Sequence, residues 1–299
     1  MNLNLRLRIL LIGSAASFLT TQAWSAEINT TGNSEERISA IEKRVGGHLG
    51  VLVLDTGTGQ RIEHRATERF PMCNTFKLLL CGAVLDRVDK RQEDLDRRIS
   101  YRESDLLEYA PIAKQHVQEG GMTVGALCAA AIEYSDNTAA NLLLQSIGGP
   151  DKLTKYLRSL GDNVTRLDRN EPSLNTAIAG DPRDTATPRS MLNSTKALLL
   201  GKELSEDSRK RLEEWLIANT TGGNRLRAGL PAGWRVGDKT GTGENGATND
   251  VAIVWPQDKA PILIVTFFVG SKAERAEREG AIAEVARVVA WSSSPRGKE

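Results

Sequence analysis

Apolar positions along this chain follow two periods, and the switch between them divides it. Ile38, Ile41 and Val45 recur at helical spacing and stop at Gly46-Gly47. Leu49 to Leu54 is a β-rich run, which Thr56-Gly57-Thr58-Gly59 turns back into a second strand near Arg61 to His64. From Thr75 to about Thr220 the period is helical, with no convincing strand. Phe76 to Val88, Thr123 to Tyr134, Asn137 to Ile147, Lys152 to Leu160 and Ser208 to Ala218 are examples. Strand patterns return at Trp234 to Lys239, Val251 to Trp255 and Ile262 to Val269. A last helix from about Glu274 to Ala290 carries Ile282, Val285, Val288 and Val289 on its apolar face. Neither set of strands is stable by itself, so both ends of the chain must share one sheet. The prediction is an α/β fold of the α+β type: an α/β lobe formed by about 27–70 and 221–299, with an all-helical lobe, about 71–220, inserted. The cleft between two such lobes is a natural place for a binding site.

One connection breaks the helical period. Asp162 to Asp184 contains two prolines and three asparagines, and connections this long usually carry function or lack order. Arg169 and Asp184, near its ends, can pair and close it as an Ω-loop. The first residues read differently again. Arg6 and Arg8 precede the apolar run Ile9 to Leu19, followed by Ala23-Trp24-Ser25-Ala26, a small-residue cleavage site. The run is short for a bilayer span. Residues 1–26 are therefore read as a secretory signal peptide and 27–299 as a single exported domain, which places the protein in the periplasm and off the membrane once the leader is removed. With 39 basic against 38 acidic residues, no single-sign surface calls for a nucleic-acid partner. Nothing in the sequence requires more than a monomer.

Export permits disulfides. Cys73 and Cys81 lie eight residues apart in one apparent helix, about 12 Å, beyond bridging distance. Any bridge must then use Cys128, with either partner. His48, His64 and His116 are scattered without ligand spacing, so no metal is expected, and no cofactor is implied.

Three short motifs carry the candidate chemistry: Asn74-Thr75-Phe76-Lys77, Ser135-Asp136-Asn137 and Lys239-Thr240-Gly241-Thr242. Each has a bland reading. A helix lysine is usually solvated, Ser-Asp-Asn can be a helix cap with Asp136 capping the helix from Asn137, and a strand lysine is usually exposed. Residues three apart on a helix share a face, however, so Lys77 stands beside residue 74. Its apolar neighbours Phe76 and Leu78 to Leu80 favour burial and a perturbed pKa. A cation with hydroxyls on a strand suits a carboxylate, and Gly241 lets a backbone or ligand come close. Between the second and third motifs lies Arg169-Asn170-Glu171-Pro172-Ser173-Leu174-Asn175.

In this order and spacing, over essentially the whole mature chain, the motifs resemble those of class A serine β-lactamases. The first departs from S-x-x-K at its first letter, where Asn74 replaces the nucleophilic serine. The resemblance implies an antiparallel sheet with flanking helices, and a β-lactam as small-molecule partner. It implies that Lys77 belongs to the nucleophile pair and that Ser135 relays a proton to the lactam nitrogen. Asn137 would bind the substrate's side-chain amide, while Asp136 mainly holds its loop. Glu171 would be the deacylation base, acting on a water also held by Asn175. Lys239, Thr240 and Thr242 would receive the carboxylate, and the backbone N–H groups of Asn74 and Thr242 would form the oxyanion hole. Tyr109 aligns with a cleft-wall aromatic. Some members carry an arginine after the third motif; Ala247-Thr248-Asn249 has none, which favours Arg225 as the extra cation, with Arg227 as its competitor. The resemblance also favours a Cys81–Cys128 bridge. Gly243 stands where some carbapenem-hydrolysing members bridge back to the cysteine before the nucleophile, which leaves Cys73 a free thiol.

Asn74 has no hydroxyl, and Thr75 lies about 100° round the helix from the face shared with Lys77. Loss of a catalytic serine can cost on the order of 10⁶ in turnover. The expectation is β-lactam binding with little or no hydrolysis. Two alternatives are a non-catalytic module binding β-lactams or peptidoglycan fragments, against which the retention of Glu171 and Asn175 argues, and a DD-peptidase, which would need the serine and would not be expected to carry the Glu171 loop.

Overall fold

A computed structural model describes residues 34–293; the leader read at 1–26 lies outside them. Helix α1 (Ser34–Val45) buries Ile38, Ile41 and Val45 and ends at Gly46, whose φ of 71° is left-handed. Strands β1 (His48–Asp55) and β2 (Arg61–His64) form a hairpin. Strands β3 (Arg235–Thr242), β4 (Thr248–Trp255) and β5 (Ile262–Val269) come from the far end of the chain. All five make one antiparallel sheet in the order β2-β1-β5-β4-β3. β1 and β5 pair in full, from His48 opposite Val269 to Asp55 opposite Ile262, which unites the two ends of the chain.

Both faces of this sheet are covered, which is why its inner strands read as continuous apolar runs rather than alternating ones. Val51, Val53, Ile264 and Phe268 pack with α1 and the last helix, α8 (Arg275–Ser292). Leu52, Leu54, Leu263, Val265 and Phe267 face the opposite core, built from the intervening helices.

Those helices are α2 (Phe76–Asp89), α3 (Val124–Glu133), α4 (Asn137–Ile147), α5 (Pro150–Ser159), α6 (Pro188–Leu200) and α7 (Glu206–Ile217), with shorter turns between them. α2 is buried without a break from Phe76 to Asp86, the signature of a helix enclosed on all sides. At Gly82 a Cβ would lie 2.6 Å from Leu198, so α6 packs there against bare backbone. Caps fix the other ends. Asp136 accepts from the Ala139 N–H to start α4, and Thr187 with Ser190 forms a capping box before α6, with Pro188 at its first position.

Two departures from the periodicity are visible. Phe70–Pro71 pairs with Thr185–Ala186, and Arg98–Ile99 with Met122–Thr123, so the middle of the chain does contain strand. Two residues cannot display a period of two. The expected Cys81–Cys128 bridge is also absent: Cys73, Cys81 and Cys128 are all buried free thiols. The Cys81 Sγ instead lies 3.8 Å from the Cys128 carbonyl oxygen, a weak donor contact within a core where α2 and α3 already pack.

Candidate active site

The site lies where β3, the edge strand, meets the start of α2. A short turn, Cys73–Thr75, leads into that helix, and Cys73 has a left-handed φ of 46°. Gly241 permits the contact, since a Cβ there would lie 2.8 Å from the Met72 oxygen and 3.2 Å from the Asn74 nitrogen. The expected close approach at Gly241 is thus one of backbone. Thr75 is buried and donates to the Met72 carbonyl at 2.8 Å, so its hydroxyl is taken.

Lys77 is fully buried at the centre. Its Nζ donates to Asn74 Oδ1 at 2.6 Å, Asn137 Oδ1 at 2.6 Å and the Ser135 carbonyl at 2.9 Å, and Glu171 Oε1 lies 3.1 Å away. Burial lowers the Lys77 pKa, against the opposing pull of the Glu171 charge. The amide of Asn74 spans the cleft: beyond Lys77, its Nδ2 donates to the Thr242 carbonyl at 3.2 Å and reaches Asn175 Oδ1 at 3.5 Å.

Ser135 follows the end of α3 in a left-handed conformation, φ 58°, costly for a residue other than glycine. Asp136 anchors it. Buried completely, Asp136 accepts from the backbone of Ile112, Ala113 and Ala139. The cap reading of Ser-Asp-Asn is thus met by Asp136, and Ser135 and Asn137 on either side of it line the cavity. Ser135 Oγ accepts from Lys239 Nζ at 3.0 Å. Lys239 is buried too, and its pKa is pushed down to about 7, by burial first and then by the charge of Lys77.

The long connection closes as expected. Arg169 Nε meets Asp184 Oδ2 at 2.6 Å, and Asp184 Oδ1 also accepts from the backbone of Asp168 and Arg169. Within this loop Asn175 Nδ2 donates to Glu171 Oε2. Asn141, on α4, clamps the Glu171 backbone on both sides at 2.9 Å. Asp184 is almost fully buried, so Arg169→Ala leaves its charge with backbone donors but without a counter-ion. The expected loss is about 3 kcal/mol of stability, to be read from urea unfolding.

A cavity of about 270 Å³ opens on these groups. Asn74, Ser135, Asn137, Asn175, Thr240 and Thr242 line it, with Tyr109, 51% exposed, at its wall. Arg225 reaches it as expected, but in an unexpected role. It is buried, and all five of its N–H groups are used: Nε on Glu279, Nη1 on the Gly241 and Asn249 carbonyls, Nη2 on Thr242 Oγ1 and Glu279. It holds Thr242 Oγ1 at 2.7 Å as an acceptor, which leaves the Thr242 hydroxyl hydrogen free to point into the cavity. Arg227 is not part of the site; it pairs with Asp238 and donates to the carbonyls of Leu216 and Ile217.

Sequence reasoning assigns no role to three neighbours. Thr221, 2.5 Å from Thr240 Oγ1, and Asn141 are ordinary polar residues without a local pattern. Arg275 lines the cavity from α8, which only the tertiary fold brings there. Cys73 lies against Gly243, where a Cβ would come within 2.7 Å of its sulfur. Among the described residues no group of three potential ligands could hold a metal, and no helix is long and apolar enough to cross a membrane.

An inserted helical region, a five-stranded antiparallel sheet and this pocket at the sheet edge together define the β-lactamase class of protein, and a model of the β-lactamase enzyme family matches residues 33–291. The CTX-M-97 β-lactamase of Escherichia coli is 48% identical over 266 residues, 89% of this chain and 91% of the relative. The OXY-2 β-lactamase of Klebsiella oxytoca is 44% identical over 280 residues, 94% and 93% of the two chains. A solved ancestral (GNCA) class A β-lactamase superposes with a TM-score of 0.85 at 57% identity, over 86% of this chain and 98% of that one. The chain belongs to the class A β-lactamase family.

Proposed function

We propose that this chain binds β-lactams in the cavity at Asn74 without forming an acyl-enzyme. One observation carries the reading: the side chain at the head of α2, where Lys77, Ser135 and Glu171 converge, is an amide. Its Oδ1 accepts from Lys77 at 2.6 Å. An amide nitrogen is delocalised into its carbonyl and is not a nucleophile, so no covalent ester to the lactam carbonyl forms.

The remaining residues keep their means of binding. Lys239, Thr240 and the Thr242 hydroxyl take the substrate carboxylate, with Arg225 orienting Thr242. Asn137 receives the side-chain amide. The backbone N–H groups of Asn74 and Thr242 polarise the lactam carbonyl, since these donors do not depend on the side chain at position 74. Glu171 and Asn175 would hold the hydrolytic water of a competent enzyme, and Ser135 would pass a proton from the Lys239 side to the lactam nitrogen. Here the Asn74 Nδ2 contact to the Thr242 carbonyl must open to admit a ligand, which weakens binding. The leader motif at residues 6–26 supports export.

Binding should fall as pH rises. Lys239 is cationic below about 7 and loses its proton above it. A ligand carboxylate favours the cation, so binding takes up a proton around and above neutrality. Affinity is then highest on the acid side of pH 7 and declines toward tenfold per pH unit above it. Titration calorimetry with a penicillin, across pH and in buffers of different ionisation heat, reads both effects. Affinity that rises with pH, or proton release on binding, would count against this assignment of Lys239.

A further inference from the structure

Donor accounting leaves one guanidinium in the cavity with unused N–H groups, and it is not Arg225. Arg275, in the first turn of α8, lines the same cavity as Thr242 and Arg225. Its Nε donates to Glu279 Oε1 at 3.0 Å, and its Nη groups have no partner among the described residues. Its side chain is 66% exposed, against 1% for Arg225. Both arginines share the single oxygen Glu279 Oε1, so here one carboxylate faces two permanent cations.

We propose that Arg275 forms a second anion subsite, which selects β-lactams carrying two negative charges. The ring carboxylate is taken by Lys239, Thr240 and Thr242. A substituent on the ring atom next to that carboxylate projects past Thr242 toward Arg225, whose donors are spent, and then meets the open Nη edge of Arg275. A carboxylate or sulfonate there gains a two-point, charge-assisted contact that a neutral group cannot make. Glu279 holds the guanidinium through Nε and leaves both Nη groups available.

This inference rests on the proposed β-lactam binding, and its test separates the two. Titration calorimetry uses two cephalosporins with the same ring system, one bearing a second carboxylate on that substituent and the other the corresponding primary amide. The readout is the ratio of their dissociation constants. The unaltered chain should favour the dianion by about five- to tenfold at low salt, and the preference should shrink as ionic strength rises. Arg275→Ala should bring the ratio close to one, and Arg275→Lys should keep a salt-sensitive part of it. A ratio that Arg275→Ala leaves unchanged would overturn the subsite. So would an equal loss for both ligands, which would mark Arg275 as a support for the Arg225–Glu279 pair only. If the unaltered chain bound neither ligand, the proposed function would fall as well. As a kinetic check in the Asn74→Ser protein, Arg275→Ala should raise KM for the dianion with little change in kcat.

Discussion

Asn74→Ser is expected to raise hydrolysis of a chromogenic cephalosporin by on the order of 10⁵ or more. The size of the effect follows from how little else has to change. Lys77 already sits three residues away, buried, with its Nζ 2.6 Å from the side-chain oxygen at position 74. A serine hydroxyl would meet the same nitrogen, and the depressed Lys77 pKa suits it to proton exchange with a nucleophile. Ser135, Lys239, Asn137 and the loop that carries Glu171 are held by contacts independent of Asn74: Asp136 on three backbone N–H groups, Asn141 on both sides of Glu171, Arg169 on Asp184. Serine is also the smaller side chain, and it releases the Thr242 carbonyl that Asn74 now occupies. Steady-state assays of the two proteins side by side give the answer. A gain of less than tenfold would mean that the site has losses beyond position 74.

The second large effect belongs to Glu171. In the Asn74→Ser protein, Glu171→Gln should slow turnover by on the order of 10³ and leave acylation largely intact, so that product appears as a burst followed by a stalled acyl-enzyme. The geometry behind this is the Glu171 carboxylate, held by Asn175 through Oε2 and facing Lys77 through Oε1. Glutamine preserves the shape and the Asn141 clamp on the backbone but cannot take a proton from water. Stopped-flow absorbance with quenched intact-mass measurement distinguishes the steps. Equal slowing of burst and steady state would place Glu171 in acylation as well, and an unchanged rate would remove it from the reaction.

The sheet and most helices are legible in the sequence, because long elements repeat their period often enough to be read. β1 and β5 are apolar on both faces, and α2 is apolar all round. The Ω-loop pair Arg169–Asp184 is legible because two opposite charges bracket a segment without period. Which of Arg225 and Arg227 lies at the cavity depends on partners that no local pattern reveals: Glu279 pairs with the first and Asp238 with the second. Even then, what Arg225 does depends on counting its donors, which needs coordinates. Arg275 and Asn141 escape sequence reading for the same reason, since neither has a local pattern and each meets the site only after folding. The two-residue strands fall below any period. The cysteines mark a further limit, because spacing cannot say how Cys81 and Cys128 meet, and both are buried free thiols in this structure.

The amide of Asn74 sets the chemistry of the site, and intact-mass spectrometry of the unaltered chain with excess penicillin tests it most directly. At concentrations where calorimetry registers binding, the mass should stay that of the free protein at every time sampled, while the Asn74→Ser, Glu171→Gln protein gains the mass of one penicillin. A covalent adduct on the unaltered chain, transient or stable, would contradict the reading.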